Sequence, residues 1–158
     1  MGTATASTHD DKIVIATVFR AGLPLHTGFL NMFDHADNAF VSAFRFYKDD
    51  EHHIVDVHIE YIAAPSLNDR TLLLVDPMLA TGESMELAWK AFLTKGKPAK
   101  LQMACVIASQ QGVKHMAELF PGDDVTLWCA AIDPVLDEHK YIVPGLGDAG
   151  DLAFGEKL

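Results

Sequence analysis

Leu72-Leu73-Leu74-Val75-Asp76-Pro77-Met78-Leu79-Ala80-Thr81-Gly82-Glu83-Ser84 is the stretch on which the rest of the chain depends, and Met85-Glu86-Leu87-Ala88-Trp89-Lys90-Ala91-Phe92-Leu93 follows it directly. An apolar run, a turn and an amphipathic helix succeed one another. A run this dense fits a strand buried on both faces, and so a parallel sheet covered by helices. The turn then opens at the carboxyl end of a strand, where open α/β sheets bind ligands. Unpaired backbone N–H groups and the positive end of the helix dipole favour an anion there. Gly82 lets the backbone come close, and the Thr81 and Ser84 hydroxyls add donors. Asp76 can hold sugar hydroxyls but not phosphate, so a ribose phosphate satisfies both halves of the stretch. The same residues also describe an ordinary capped helix, since Thr or Ser ahead of an acid is common capping chemistry. The mononucleotide P-loop is excluded, because no Gly-Lys-Ser/Thr follows, and the Gly-x-Gly-x-x-Gly spacing of dinucleotide sites is absent.

Working outward, Lys12 to Phe19 is a β-branched run fit for a buried strand, and it delivers Arg20-Ala21-Gly22 to a sharp turn. A helix follows from about Leu23 to Phe33, with Pro24 tolerated in its first turn. Phe40 to Tyr47 and His53 to Tyr61 form a hairpin projecting from the sheet; in the second strand Val55, Val57, Ile59 and Tyr61 alternate with Asp56, His58 and Glu60. The polar connection Lys48 to His52 joins them. Its acids and His52, His53 and His58 do not make a metal site, because adjacent histidines on a strand point to opposite faces. Beyond the central helix, Gly96-Lys97-Pro98 is a stop signal, Lys100 to Ser109 a buried strand, Gln110 to Phe120 a short helix with a solvent-facing His115, and Val125 to Ile132 a last strand. Strand and helix alternate over short connections, which predicts an α/β fold: a doubly wound, mainly parallel sheet flanked by helices, with a projecting β-hairpin arm. Residues 1–11, small and polar, read as a disordered leader, and residues 12–158 as a single domain.

With 158 residues, 49% of them hydrophobic, the chain can fill one core. A net charge of -10 argues against nucleic acid or an anionic membrane as a partner. An acidic protein that binds a polyphosphorylated ligand must gather its few cations locally, so individual arginines matter. Cys105 and Cys129 sit in apolar runs and read as reduced core residues. No run is long enough to span a bilayer, and the expectation is a cytoplasmic protein.

Two further segments are ambiguous on their residues alone. Arg20, beside a glycine at a strand end, could grip a diphosphate bidentately or be a plain surface arginine. Tyr141-Ile142-Val143-Pro144-Gly145-Leu146-Gly147-Asp148-Ala149-Gly150-Asp151 exposes an unusual amount of backbone. Such a loop could read a base through its amides and carbonyls, or be a glycine-rich terminal turn.

The stretch Asp76 to Ser84 resembles the phosphoribosyl-diphosphate loop of type I phosphoribosyltransferases, and Asp-Pro-Met-Leu-Ala-Thr-Gly is similar to the variant found in uracil phosphoribosyltransferases. The terminal loop, with Phe154-Gly155 beyond it, resembles that family's uracil loop, and Arg-Ala-Gly-Leu at Arg20 its diphosphate loop. The resemblance covers nearly all of residues 12–158. It implies transfer of the phosphoribosyl group of 5-phospho-α-D-ribose 1-diphosphate to uracil, giving UMP and diphosphate. It also implies catalytic roles for Arg20, Asp76 and Asp148, with Arg45 as a second diphosphate arginine on the hairpin arm. The 5′-phosphate would fall to Ala80, Thr81, Gly82 and Ser84, with Pro77, Met78, Leu79 and Glu83 completing the loop. Uracil would meet Ile142, Gly147, Asp148 and Ala149.

Mg2+ would enter mainly on substrate oxygens and water, with no metal site built from protein side chains. A homodimer or higher homo-oligomer is implied as well. The chain departs from the pattern at Glu83, where relatives have a small residue, and at Leu152, where they often have a basic one. Glu83 is expected to point to solvent and offer only its N–H. Relatives also carry several dozen further residues ahead of this stretch. Competing readings are a catalytically silent nucleotide-binding or regulatory homologue, a fragment inactive without that amino-terminal segment, and a relative using another base.

Overall fold

The computed structural model describes residues 2–6, 12–47, 55–122 and 124–156, leaving aside the side chains of 43–47 and 55–59. In chain order the elements are β1 (Ile13–Val18), α1 (Leu23–Met32), β2 (Asp37–Tyr47), β3 (Val55–Ala63), β4 (Thr71–Val75), β5 (Met78–Leu79) and α2 (Glu83–Phe92), the last prolonged by a 3-10 turn, Leu93–Lys95. There follow β6 (Lys100–Ser109), α3 (Gln110–Leu119), β7 (Val125–Asp133), β8 (Val135–Leu136), β9 (Ile142–Val143) and α4 (Ala149–Phe154).

Strands β1, β2, β4, β6 and β7 pair in parallel, and β3 joins β2 antiparallel at one edge. Strand β4 pairs with the first half of β6, β5 takes over at Ile107 and Ala108, and β7 holds the other edge. The expected α/β sheet with its hairpin is therefore present. The arm is the far half of β2, whose near half, Asp37 to Val41, belongs to the parallel sheet beside β1. One feature departs from the strict alternation read over 55–61. Ser42 faces Tyr61 while Ala43 faces Ile59, so Glu60 has no partner of its own and the ladder bulges there. The connection at 48–52, with the histidines read there, lies outside the described residues.

Each central strand is buried on both faces because helices cover both. Ile15, Leu73, Val75 and Ala104 pack under Leu25, Phe29 and Leu30 of α1. Val14, Leu72, Leu74 and Met103 point the other way and meet Met85, Ala88, Ala91 and Phe92 of α2 and Met116 of α3. A fully buried Leu or Phe of this kind contributes about 1.5–3 kcal/mol. The dense run at 72–75 is thus consumed by packing, and the chemistry begins only where the run ends.

The register then fixes what lies beside what. Thr17 of β1 faces Val75 of β4, and the Thr17 hydroxyl donates to the Val75 carbonyl at 2.9 Å. Arg20 and Asp76 leave the sheet from adjacent strands at the same edge. After β7 the chain turns through β8 and β9, and Asp133 Oδ2 accepts the Gly145 N–H at 2.9 Å. That bond ties the terminal loop to the end of the last strand. No helix among the described residues is long and apolar enough to cross a membrane.

Candidate active site

Asp76 is the residue at which the buried strand meets the turn. Its N–H is spent on the Ala104 carbonyl at 3.1 Å, which continues the β4–β6 pairing by one residue and pulls the side chain inward. The carboxylate is only 9% exposed. Its Oδ1 accepts a long bond from the Met78 N–H at 3.3 Å. Burial pushes its pKa from 3.8 up to about 7, and the Met78 amide only partly offsets this.

Past β5 the loop closes onto α2. Gly82 adopts φ 88°, a left-handed conformation that a side chain would resist, and no side chain caps the helix that follows. The first amides of α2 therefore face outward with the dipole behind them, an arrangement suited to an anion. The loop is not uniformly open. Leu79 is buried in the core, so it can offer a ligand only its backbone, and Glu83 is half-buried with its N–H near Thr81 Oγ1 at 3.4 Å. The expectation that Glu83 stands in solvent is met only in part.

Arg20 reaches toward the end of the chain. Its Nη2 pairs with Asp151 Oδ1 at 2.5 Å and its Nη1 donates to the Gly155 carbonyl at 2.6 Å. Both arms of the Arg20 fork are thus engaged by α4 and the residue after it, so the side chain is held rather than loose in solvent. Asp148 is the N-cap of α4, accepting the Asp151 N–H at 2.9 Å. The terminal loop is therefore not backbone alone, because from Ala149 onward it is a short helix with an acidic cap.

These pieces surround common space. Asp76, Met78 and Ser84 line one side of a cleft of about 270 Å³, with Tyr141, Asp148 and Ala149 on the other. A neighbouring hollow of about 340 Å³ joins Arg20 and Ser42 to Asp148 and Gly150. The loop after β4, Arg20 and the terminal loop so converge on Asp148. Ile142 and Gly147 are not part of this lining: Ile142 is buried in β9, and Gly147 has φ 80°. Arg45 falls within β2, and its side chain lies outside the described residues.

A larger apolar cleft of about 580 Å³ lies between α1 and the sheet, lined by Phe29, Phe33, Leu73 and Trp128. It holds none of the residues above, so size does not mark the chemistry. Cys105 and Cys129 are free thiols facing one another across β6 and β7, and burial pushes the Cys105 pKa up to about 12. Cys129 is half-buried and packs against the edge of the core.

Sequence reasoning missed the wall behind the phosphate loop. His115, expected in solvent, is only partly so: its side chain is 35% exposed and its Nε2 lies 2.7 Å from Glu86 Oε2 of α2. Ser109 Oγ donates to the Ala80 carbonyl at 2.5 Å. The signal available was the spacing Ser109, Gly112, Met116, which places three small or apolar groups on one face of α3.

Known proteins share this sequence and fold. A uracil phosphoribosyltransferase of Porphyromonas gingivalis is 60% identical over all 158 residues, which span 72% of that protein. A solved structure of the AQ2163 protein from Aquifex aeolicus superposes with a TM-score of 0.78 at 32% identity, covering 92% of this chain and 66% of that one. A purine phosphoribosyltransferase from Pyrococcus horikoshii shares the fold, with a TM-score of 0.55 at 18% identity over 79% of this chain and 80% of its own. The family model described as uracil phosphoribosyltransferase runs through residues 1–156, so the cleft around Asp76 and Asp148 belongs to a member of the uracil phosphoribosyltransferase family.

Proposed function

We propose that this chain transfers the phosphoribosyl group of 5-phospho-α-D-ribose 1-diphosphate to N1 of uracil, releasing diphosphate and forming UMP. The observation that carries this reading is the single cleft faced by Asp76 from the phosphate loop and by Asp148 from the terminal loop. The ribose lies between them, with its hydroxyls on Asp76 and its 5′-phosphate on the amides of Ala80 to Ser84 at the start of α2. Arg20 takes the diphosphate, exchanging its bonds to Asp151 and the Gly155 carbonyl for phosphate oxygens of the same fork geometry. Arg45, on the arm, is assigned the other side of the diphosphate.

As the C1–oxygen bond breaks, positive charge develops on the sugar ring. Asp76 and Asp148 are assigned to stabilise it, while uracil N1 forms the new bond and its proton passes to water. Most of the rate comes from holding the two reactants in line and stabilising the departing group. Backbone groups from Ile142 to Ala149 match the two carbonyls and the N–H of uracil. A base with the opposite pattern would leave buried groups unpaired.

The donor set fits Mg2+ brought in on the substrate. No group of three His, Cys, Asp or Glu side chains that could hold a metal occurs among the described residues, and the cleft offers two separate carboxylates. Diphosphate oxygens, ribose hydroxyls and water would hold the ion, with Asp76 and Asp148 reached through them. Bound there, it would neutralise charge on the departing diphosphate. A homo-oligomer in the cytoplasm completes the reading.

The test is UMP formation from uracil and phosphoribosyl diphosphate with Mg2+. Turnover with uracil and none with cytosine or hypoxanthine is expected. Binding without turnover would point to a silent homologue, and turnover with another base to a different specificity.

A further inference from the structure

The turn between β8 and β9, Asp137-Glu138-His139-Lys140-Tyr141, has no part in the roles assigned above. Its construction is specific. The Asp137 N–H donates to the Tyr141 carbonyl at 2.9 Å, and Asp137 Oδ1 accepts the N–H groups of both His139 and Tyr141, each at 2.9 Å. The Lys140 N–H donates to the Asp137 carbonyl at 3.1 Å. One aspartate thus ties down the amides of His139, Lys140 and Tyr141. Closing the turn this way leaves Lys140 at φ 68°, in the left-handed region that glycine or asparagine occupies more readily than a lysine.

Lys140 lines the cleft that also holds Asp76, Ser84 and Asp148, and it is the one cation among the described residues of that lining. Arg20 belongs to the neighbouring hollow, whose lining does not include Lys140. The two cations therefore stand at different ends of the joint space, Arg20 with Ser42 and Gly150, Lys140 with Ser84 at the start of α2. In a chain of net charge -10, and in a cleft walled by two aspartates, an incoming anion needs positive charge placed beside it. Lys140 takes part in none of the ion pairs among the described residues. Its ammonium is left to a ligand.

We infer that Lys140 is a substrate-binding residue for a phosphate monoester, its ammonium meeting the 5′-phosphate across the cleft from the α2 amides. Those amides supply dipoles and hydrogen bonds but no net charge, and a compact ammonium on a flexible stem supplies the charge. This rests on the ribose-phosphate site proposed above and deepens it. The phosphates of the substrate are divided between two cations, the 5′-phosphate to Lys140 and the diphosphate to Arg20. Lys140 is exposed, so its attraction for the ligand is one that salt screens.

Ribose 5-phosphate and inorganic diphosphate are the probes, titrated calorimetrically into wild type, Lys140→Gly and Lys140→Arg at about 0.05 M and about 0.5 M salt. Glycine suits a φ of 68°, so Lys140→Gly removes the charge and keeps the turn, and its melting temperature should be no lower than that of wild type. That variant should bind ribose 5-phosphate about fivefold more weakly at the lower salt and less than about twofold more weakly at the higher. Its affinity for diphosphate should change less than about twofold at either. Lys140→Arg keeps the charge and should stay within about twofold of wild type for both probes. Unchanged ribose 5-phosphate affinity in Lys140→Gly, a loss that salt does not diminish, or an equal loss in Lys140→Arg would make the residue part of the turn only and overturn the inference. An equal loss for diphosphate would overturn the division of phosphates between the two cations. Wild type that binds neither probe and forms no UMP would remove the site itself, whereas normal UMP formation with no effect at Lys140 refutes only the role of Lys140.

Discussion

Replacing Asp76 with Asn should stabilise the ligand-free protein at pH 8 and do nothing near pH 4. The unfolded carboxyl ionises near 3.8 and the folded one near about 7, because the β4–β6 pairing carries it into the protein with one long bond from Met78 as compensation. Between those values the folded state keeps a proton that the unfolded state has lost. Stability therefore falls as pH rises through this window, and the full cost is present above pH 7. At about 1.36 kcal/mol per pH unit, the gap amounts to on the order of 4 kcal/mol. Asn has the same shape and keeps an acceptor oxygen for the Met78 N–H, but it never ionises. With each kcal/mol moving the midpoint of a chain this size by about 2–4 °C, the ceiling is a rise of roughly 8–16 °C. Differential scanning calorimetry from pH 4 to pH 8, without substrate or Mg2+, reads it directly. UMP formation should fall about a hundredfold in the same variant, since the destabilised carboxylate is the one proposed to hold the ribose. A wild-type melting temperature that is flat or rising between pH 5 and pH 8, or a variant no more stable at pH 8, would refute the reasoning.

Gly112→Ala drives a Cβ into the Leu79 and Ala80 carbonyls, so the phosphate loop must move; the Michaelis constant for phosphoribosyl diphosphate should rise at least about tenfold. Arg20→Lys separates activity from stability. An ammonium cannot span both Asp151 and the Gly155 carbonyl or fork onto a diphosphate, so turnover should drop sharply. The partly exposed Arg20–Asp151 pair is worth only about 0–1 kcal/mol, so the melting temperature should barely change, and a large fall would refute that division. Glu83→Gly should leave the same Michaelis constant nearly unchanged, because only the Glu83 N–H is assigned to the phosphate; steady-state kinetics showing a tenfold or greater improvement would refute that assignment.

What could be read from the chain beforehand was whatever lies within one strand–turn–helix unit. Residues 72–92 carry their own instructions, a run too apolar to face water, an acid that ends it and a glycine ahead of an amphipathic helix, whereas the φ of 88° and the missing side-chain cap appear only in the structure. Arg20 and the terminal loop were each ambiguous alone, because the property that matters, their meeting at Asp148, is made by the register of β1 against β4 and by the β8–β9 return. The bulge at Glu60 escaped notice because an inserted residue leaves the local composition of a strand intact and shows only when its partner is known. His115 is the clearest case. On its own helix it is a polar residue among polar neighbours. It meets α2 where Gly112, three residues earlier, lets α3 approach the carbonyls of Leu79 and Ala80. The approach made possible by one missing Cβ brings the imidazole over Gly82 and beside Glu86, 29 residues away in sequence. Long-range closeness of this kind leaves no period in the chain to be read.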